Sequence, residues 1–291
     1  MLWRCRDRTF DLSARTLVMG IVNVTPDSFS DGGRFLAPGA AAAHARRLIA
    51  EGAEIVDLGA ESTRPGADPV DADEQLRRLL PVLEELAAER STCLSVDTAS
   101  AAVAARALEA GVHVVNDVRA LADPALAEVA AAAGAGVVLM HMRGTPRTMQ
   151  EDPRYGDVVR EVSEWLGTRL AGAVRCGVER ERIALDPGIG FGKTARHNFE
   201  LIAGLEEFAC HGRPLLVGVS RKSFLGKRAA ERDAVPEPDL PVDQRLEGGL
   251  AATAVAVFLG ARIVRTHDVA ATVRAVRIAE ALRARRATAI A

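Results

Sequence analysis

Eight short apolar runs alternate with longer amphipathic stretches along the chain, and this alternation restricts the possible folds more than any other feature. The runs cover residues 17–23, 54–59, 93–97, 112–116, 136–141, 182–186, 214–219 and 261–266. The stretches that follow them have helical spacing, at roughly 38–51, 72–90, 99–110, 124–133, 157–176, 195–208, 245–259 and 268–285. A helix after every strand makes a crossover connection, so neighbouring strands run parallel. Eight such units predict an α/β fold of the (β/α)8 TIM-barrel type.

The length and composition agree with a barrel that forms one domain over residues 1–291. A chain of 291 residues suits one such barrel, and no stretch has the composition of a linker. Aromatic residues make up only 4%, so the core must consist of aliphatic residues, as in parallel strands buried on both faces. Residues 2–12 precede the first strand and predict an N-terminal extension, a small hairpin that plugs the N-terminal mouth of the barrel. The charged, Pro-rich segment 227–243 predicts a surface loop or short helix.

Charge, hydropathy and cysteine pattern exclude several classes of partner. The net charge of −2 gives no electrostatic footprint for nucleic acid or for an anionic membrane. No apolar run reaches the roughly 18 residues that span a bilayer, and the N-terminus lacks the apolar core of a signal peptide. The four cysteines are scattered without a CxxC pair, which predicts reduced thiols and a cytoplasmic location.

Polar residues stand at the end of every predicted strand, where a (β/α)8 barrel carries its catalytic groups. The eight ends carry, in chain order, Asn23, ESTRPG, Asp97, Asn116, His141, DPGIGFGK, SRKS and RTHD. A single such residue is most simply a helix cap or a turn former. Eight of them around one mouth predict a polar pocket.

The ends of the last and first strands predict an anion site. Arg265 and His267 end the eighth strand, and Asn23 ends the first, which becomes its neighbour when the barrel closes. Loops after the last strands of such barrels often bind phosphate, so we expect these three residues to bind a diphosphate. Mg²⁺ could bridge Asn23 and the diphosphate, because it prefers a few protein oxygens with phosphate and water. The alternative is a local salt bridge between Arg265 and Asp268.

Three further polar residues predict a site for a heterocycle. Asp97, Asn116 and Asp186 come from the third, fourth and sixth strands and should converge inside the mouth. A carboxylate can accept two parallel N–H bonds, as it does from guanidinium, and a 2-amino-4-oxo-pyrimidine ring offers the same pair. The alternative is that the two carboxylates form structural ion pairs with Lys222 and Arg265. Burial of such charges without a ligand is costly, which favours the binding site.

Seven motif strings, in their order and spacing, resemble the dihydropteroate synthase family. They are NVTPDSFSDGG, ESTRPG, SVDT, VND, DPGIGFGK, SRKSFLG and RTHDV, and the resemblance covers about residues 16–285. It implies the (β/α)8 barrel and a transferase of a pterin-methyl group, which makes 7,8-dihydropteroate from 6-hydroxymethyl-7,8-dihydropterin diphosphate and p-aminobenzoate in folate biosynthesis. It also implies Mg²⁺ as cofactor and a pocket that sulfonamides occupy. A homodimer is common among barrels of this kind.

The resemblance implies roles for individual residues. Catalytic roles fall on Asp31, Asp97, Lys222, Arg265 and His267. The implied substrate-binding residues are Asn23, Phe29, Thr63, Arg64, Pro65, Asp97, Asn116, Met140, Asp186, Phe191, Gly218, Lys222, Ser223, Arg265 and His267. Arg265 would stack over the pterin ring, and Asn23 would be the metal ligand. Ser223, together with the N-terminus of the following helix, would meet the carboxylate of p-aminobenzoate.

Other readings of the same motifs exist. A methyltetrahydrofolate methyltransferase domain shares the pterin-binding Asp and Asn but does not need SRKS or RTHD. A non-catalytic pterin-binding paralogue should have lost residues of the two loops after the first strands, and both loops are intact here. A generic phosphate-binding barrel leaves the long motif strings unexplained.

Overall fold

The computed structural model describes residues 1–24, 38–62, 66–87, 89, 92–226 and 239–290. The strands within these residues are β1 Leu2–Cys5, β2 Arg8–Asp11, β3 Leu17–Asn23, β4 Ile55–Gly59, β5 Cys93–Asp97, β6 Val114–Asp117, β7 Gly136–Met140, β8 Ile183–Asp186, β9 Leu216–Val217 and β10 Ile263–Thr266. The α-helices are α1 Pro38–Ala50, α2 Ala72–Leu86, α3 Ala101–Glu109, α4 Pro124–Ala132, α5 Val158–Arg175, α6 Ala195–Ala203, α7 Leu246–Phe258 and α8 Val269–Ile290.

Strands β3 to β10 form one parallel sheet that closes on itself. Its order is β8-β7-β6-β5-β4-β3-β10-β9, so each strand except β8 neighbours the next in the chain. The two edges, β8 and β9, meet through a parallel bridge between Leu185 and Leu215, where Leu185 N donates to Pro214 O at 2.9 Å. The helices between the strands make the crossovers. The predicted (β/α)8 barrel is therefore confirmed.

Side chains at several helix starts explain where the helices begin. Each of these N-cap residues accepts a hydrogen bond from a backbone N–H of the first turn, which would otherwise lack an acceptor. They are Asp71, Ser100, Asp123, Asp157 and Thr194. Pro124 follows its cap at the first helical position, where the missing N–H costs nothing.

Some element boundaries differ from the predicted ones. The seventh barrel strand, predicted over 214–219, is reduced to Leu216–Val217. Pro214 has no N–H for the ladder, and Leu215 O accepts from both Arg262 N and Ile263 N, so the pairing is irregular where the barrel closes. The sixth helix, predicted to residue 208, ends at Ala203 and is followed by a 3-10 helix over Leu205–His211.

The N-terminal hairpin fills the N-terminal end of the barrel. Strands β1 and β2 pair in antiparallel fashion, and Trp3, Cys5 and Leu12 are fully buried with inward residues of the barrel strands. The indole Nε1 of Trp3 donates to Arg182 O at 2.9 Å. This is the plug that the sequence predicts. Because it fills the N-terminal end with apolar side chains, the opposite end is left for a ligand.

Replacing Trp3 by phenylalanine should lower the stability of the barrel without affecting its active end. The indole N–H is the donor to Arg182 O, and a buried carbonyl that loses its donor costs about 1–3 kcal/mol. Urea denaturation of the two proteins measures this loss in the free energy of unfolding. A loss below about 0.5 kcal/mol, the range of ordinary surface substitutions, would contradict the role of the hydrogen bond.

The described helices include none that is both long and apolar enough to cross a membrane.

Candidate active site

The inward positions of the barrel change from apolar to polar toward the C-terminal ends of the strands. Successive residues of a strand face opposite sides, so each residue two positions beyond an inward apolar one is also inward. On β4, Ile55 is followed inward by Asp57, and on β10, Ile263 is followed by Arg265. A cavity lies at this end of the barrel, and Arg265 belongs to its lining.

The cavity brings together residues from strands that are far apart in the sequence. Its lining consists of Ile21, Asp97, Asn116, Val118, Met140, Asp186, Phe191, Gly218, Ser220, Lys222, Arg265 and His267. All but Ile21, Val118 and Ser220 belong to the substrate-binding set implied by the sequence. Asn23 and Ser223 of that set are not among the lining residues. Phe29, Asp31, Thr63, Arg64 and Pro65 lie outside the described residues.

Arg265 is held between two carboxylates in the floor of the cavity. Its Nε donates to Asp57 Oδ2 at 2.7 Å, and its Nη2 donates to Asp97 Oδ2 at 3.0 Å. Asp57 is fully buried, and Asp97 is 8% exposed. Part of the alternative reading, in which Asp97 pairs with Arg265, is thus observed. The second partner, Asp57, was not expected from the sequence.

Asp97 has a strongly perturbed acidity. Burial raises the pKa of Asp97 from 3.8 to about 7, although the guanidinium of Arg265 acts in the opposite direction. The negative charges of Asp57, Asp117 and Glu61 add to the increase in this pKa. Near neutral pH the carboxyl is therefore close to its midpoint, and a ligand that donates hydrogen bonds to it would favour the ionised form.

The segment after β8 shapes the side of the cavity that carries Asp186. Asp186 Oδ1 accepts from Gly188 N at 2.7 Å, and burial raises the pKa of Asp186 although the charge of Lys222 lowers it. Gly188 has φ +68, and a Cβ there would stand 1.8 Å from His141 O. Only glycine can fill this position of the DPGIGFGK motif, because both the backbone angle and the space exclude a side chain.

A buried lysine holds the segment after β8 through hydrogen bonds to its backbone. Lys193 Nζ lies 2.9 Å from His141 Nδ1 and donates to Gly188 O and Phe191 O, both at 3.0 Å. Burial lowers the pKa of Lys193 well below its ordinary value. His141, which ends the fifth predicted strand, thus contacts Lys193 and does not line the cavity.

Lys222 reaches the cavity from the segment after β9. Its Nζ donates to Ile189 O and lies 4.4 Å from the centroid of the Phe191 ring, a cation–π contact. Burial lowers the pKa of Lys222 to about 8, although Asp186 opposes this change and Arg265 adds to it. The ammonium form still predominates at neutral pH.

Comparison with known proteins identifies the family. The family model described as "Pterin binding enzyme" matches residues 19–267. The dihydropteroate synthase of Escherichia coli K12 is 45% identical over 91% of this chain and 90% of its own length. The Yersinia pestis dihydropteroate synthase, solved as a sulfonamide drug complex, superimposes with a TM-score of 0.89 at 44% identity, over 98% of this chain and 100% of its own. That of Xanthomonas albilineans, solved with 4-aminobenzoic acid, gives 0.87 at 43% identity, over 97% and 98%.

The chain belongs to the dihydropteroate synthase family. The resemblance inferred from the motif strings is therefore confirmed, and with it the assignment as an enzyme, a transferase.

Two contacts join the segments after β9 and β10. Ser220 Oγ lies 3.1 Å from His267 Nδ1, and Arg221 donates to both oxygens of Asp268, with 2.6 Å between Nη2 and Oδ1. Asp268 therefore pairs with Arg221, and the alternative of a local Arg265–Asp268 salt bridge is wrong. Ser220 was missed, although it belongs to the SRKS motif that marked this strand end.

No α-helix follows Ser223 directly, and its contact with the p-aminobenzoate carboxylate stays a prediction. Ser223 is exposed and begins a 3-10 helix of three residues, Ser223–Leu225, while α7 begins only at Leu246. Gly226, directly after this short helix, has no room for a side chain, because Leu240 backbone atoms lie within 3 Å of the position where a Cβ would stand.

Proposed function

We propose that the chain, acting as one domain over residues 1–291, condenses 6-hydroxymethyl-7,8-dihydropterin diphosphate with p-aminobenzoate to 7,8-dihydropteroate and diphosphate. The observation that carries this proposal is the single cavity in which Asp97, Asn116 and Asp186 face Lys222 and Arg265. The cavity thereby offers acceptors for the N–H groups of a heterocycle and cations for an anionic leaving group. The complex of the Xanthomonas albilineans relative with 4-aminobenzoic acid supports the second substrate.

The pterin ring would bind in the floor of the cavity. Its 2-amino group and ring N–H would donate to a carboxylate, for which we propose Asp186, with Asn116 and Asp97 as further partners. Both carboxyl groups are buried, so their hydrogen bonds to a ligand would be formed away from competing water. Met140 and Gly218 line the same cavity and would contact the ring, and Arg265 would cover its face.

The diphosphate would bind near Arg265 and His267, with Asn23 as protein ligand of Mg²⁺. The donor fits this ion: Asn23 ends β3, the strand that pairs with β10 and its Arg265, and an amide oxygen is a ligand that Mg²⁺ accepts. Mg²⁺ usually takes only one or two protein oxygens and fills the remaining positions with phosphate and water. When bound, the ion would neutralise charge on the departing diphosphate.

The reaction would proceed by dissociative substitution at the pterin methylene. The C–O bond to the diphosphate breaks, and its electron pair leaves with the diphosphate, which Arg265 and His267 stabilise. The positive charge that develops on the pterin methylene and ring is stabilised electrostatically by Asp97 and Asp31. The amine nitrogen of p-aminobenzoate then forms the new C–N bond and releases one proton to water or diphosphate. No covalent bond to the enzyme is needed.

The p-aminobenzoate pocket would lie on the side of the cavity formed by Phe191 and Lys222. The contact of Lys222 with the Phe191 ring supports this, because it puts an aromatic wall beside a cation that can attract a carboxylate. Ser223 is one residue further along the chain. The remaining wall would come from Phe29, Thr63, Arg64 and Pro65 of the loops after β3 and β4.

A coupled assay tests the proposal. Diphosphate release from the pterin diphosphate is measured with and without p-aminobenzoate and Mg²⁺, together with dihydropteroate formation. We expect release that depends on both additions and that a sulfonamide blocks. Pterin binding without turnover would instead indicate a non-catalytic paralogue, and absence of pterin binding would contradict the whole proposal.

Replacing Asp186 by asparagine should weaken pterin binding more than p-aminobenzoate binding. The substitution keeps the shape but replaces one acceptor oxygen by a donor, which would face the donors of the pterin ring. We expect pterin affinity to fall about 10–100-fold, the range for a hydrogen bond to a charged group, about 1.5–3 kcal/mol. Titration of pterin diphosphate, followed by titration of p-aminobenzoate into the pterin complex, separates the two affinities. Equal losses would show that Asp186 has a structural role only.

We also propose a homodimer and a cytoplasmic location. The exposed apolar side chains of Val255 on α7 and of Ile278 and Leu282 on α8 support the dimer, because these two helices pack together and offer apolar surface for a second copy. Sedimentation equilibrium tests it. The four cysteines are free thiols, which agrees with a reducing compartment.

A further inference from the structure

Asp57 is a charged residue in the middle of a barrel strand, outside the cavity lining. It lies on β4, is fully buried, and accepts three hydrogen bonds from side chains. Its Oδ2 accepts from Arg265 Nε at 2.7 Å and from Asn116 Nδ2 at 3.0 Å, and its Oδ1 accepts from Ser95 Oγ at 2.6 Å. Two of the three donors therefore belong to residues that line the cavity, on strands to either side of β4.

The contact with Asp57 determines which way the amide of Asn116 points. An ionised carboxylate can only accept hydrogen bonds, so the nitrogen of the Asn116 amide must face Asp57. The oxygen of the same amide is thereby directed to the other side and is available as an acceptor for a ligand. A free asparagine could present either atom, whereas this one is set to recognise N–H donors.

The contact also fixes the plane of the Arg265 guanidinium. Its Nε donates to Asp57 and its Nη2 donates to Asp97, so the planar group is held at two of its edges. A guanidinium can stack on a ring only if its plane is parallel to that ring. By fixing the guanidinium plane, Asp57 therefore also fixes the direction of the guanidinium face that can stack on a ring.

We propose that Asp57 is a positioning residue, which orients Asn116 and Arg265 for recognition of the pterin ring and does not itself touch the substrate. This inference rests on the proposed function. A buried ion pair is not in itself a strong source of stability, since apolar residues of similar volume often replace such pairs without loss. Arg265 and Asn116 both line the cavity, so a role in orienting them explains why one buried carboxylate binds both.

Two substitutions of Asp57 distinguish positioning from simple charge balance. Asp57→Ala removes the acceptor for both Arg265 and Asn116. Asp57→Asn removes the charge but can keep its oxygen toward both donors, because its amide nitrogen would then face Ser95 Oγ, which can accept. Asp123→Ala is the control: Asp123 is an exposed carboxylate that caps α4, where it accepts the backbone N–H of Ala125, and it does not line the cavity.

The measurement is the kinetic constants for each substrate, with the unsubstituted chain assayed first. Side chains that orient metal ligands typically contribute about 10–100-fold, and we expect Asp57→Ala to lower kcat/KM for the pterin diphosphate by a similar factor. The KM for p-aminobenzoate should stay within about threefold, because neither oriented group belongs to that pocket. Asp57→Asn should recover most of the loss, and Asp123→Ala should keep both constants per folded molecule. If Asp57→Ala does not fold, Asp57→Ser takes its place with the same expectation.

Three results would overturn the positioning role. They are an unchanged kcat/KM for the pterin diphosphate in Asp57→Ala, an equal loss in Asp57→Asn, or an equal rise in KM for both substrates. Failure of the proposed function has a different signature, because the unsubstituted chain would then form no dihydropteroate at all.

Discussion

Replacing Lys222 by alanine should abolish dihydropteroate formation while the protein remains folded. Lys222 lies in the cavity against Phe191, with Asp186 and Arg265 as the charged groups that influence it. Its ammonium group would attract anionic substrate groups, and removal of one such preorganised donor costs about 10²–10³-fold in turnover. The folded state should persist, because burial already disfavours this cation and lowers its pKa to about 8.

The pH profile gives a second readout for Lys222. The ammonium form is the one that binds anions, so kcat/KM of the unsubstituted enzyme should fall as the pH rises through about 8. The residual rate of Lys222→Ala should lack this alkaline limb. Thermal unfolding followed by circular dichroism controls for folding. Near-normal turnover in a folded Lys222→Ala protein would contradict the proposed site.

The positions of the site residues follow from strand ends, and this is why most of them could be found in the sequence. The end of a parallel strand lies at the same edge as the ends of its neighbours, so Asp97, Asn116 and Asp186 had to approach one another once eight units were recognised. The structure brings all three into one cavity. Their assignment to particular substrates came from the family resemblance, since strand ends alone do not specify a ligand.

Asp57 was missed because it does not stand at a strand end. It lies within an apolar run, IVDLG, and strand-end reasoning passes over it. A signal was nevertheless present, since a carboxylate inside a strand buried on both faces must have a charged or hydrogen-bonding partner. Its position two residues after the inward Ile55 gives it the same direction. The identity of the partner was beyond the sequence, because Arg265 is separated from Asp57 by 208 residues.

The closing strand β9 shows why element boundaries were less predictable than elements. Residues 214–219 have the composition of a strand, but only Leu216 and Val217 pair regularly. The remaining pairing depends on how β8 and β10 approach from the two sides, which is a property of the whole barrel. Composition predicts that a segment is buried and extended, and neighbouring strands determine how much of it forms a ladder.

Replacing Arg265 by alanine should reduce both turnover and stability, and it should have the largest combined effect of the substitutions considered. Asp57 and Asp97 would lose the cation between them, and removal of one partner from a buried ion pair costs about 3–5 kcal/mol. Cations that stabilise phosphate groups in transition states contribute about 10³–10⁵-fold, and we expect a loss of turnover in this range. Arg265→Lys should recover part of the stability but little turnover, because an ammonium cannot reproduce the planar guanidinium.

The stability loss of Arg265→Ala should depend on pH with a definite sign. Burial and the charges of Asp57, Asp117 and Glu61 already raise the pKa of Asp97 to about 7, and loss of Arg265 would raise it further. Between the ordinary aspartate pKa of 3.8 and the raised pKa of Asp97, the folded state keeps a proton that the unfolded state has released. The free energy of unfolding therefore falls as the pH rises through this interval. The variant should therefore approach the unsubstituted protein in free energy of unfolding as the pH is lowered from about 8 to about 5.5. Urea denaturation at both pH values measures this difference, and an equal gap at the two values would contradict the buried carboxyl as its cause.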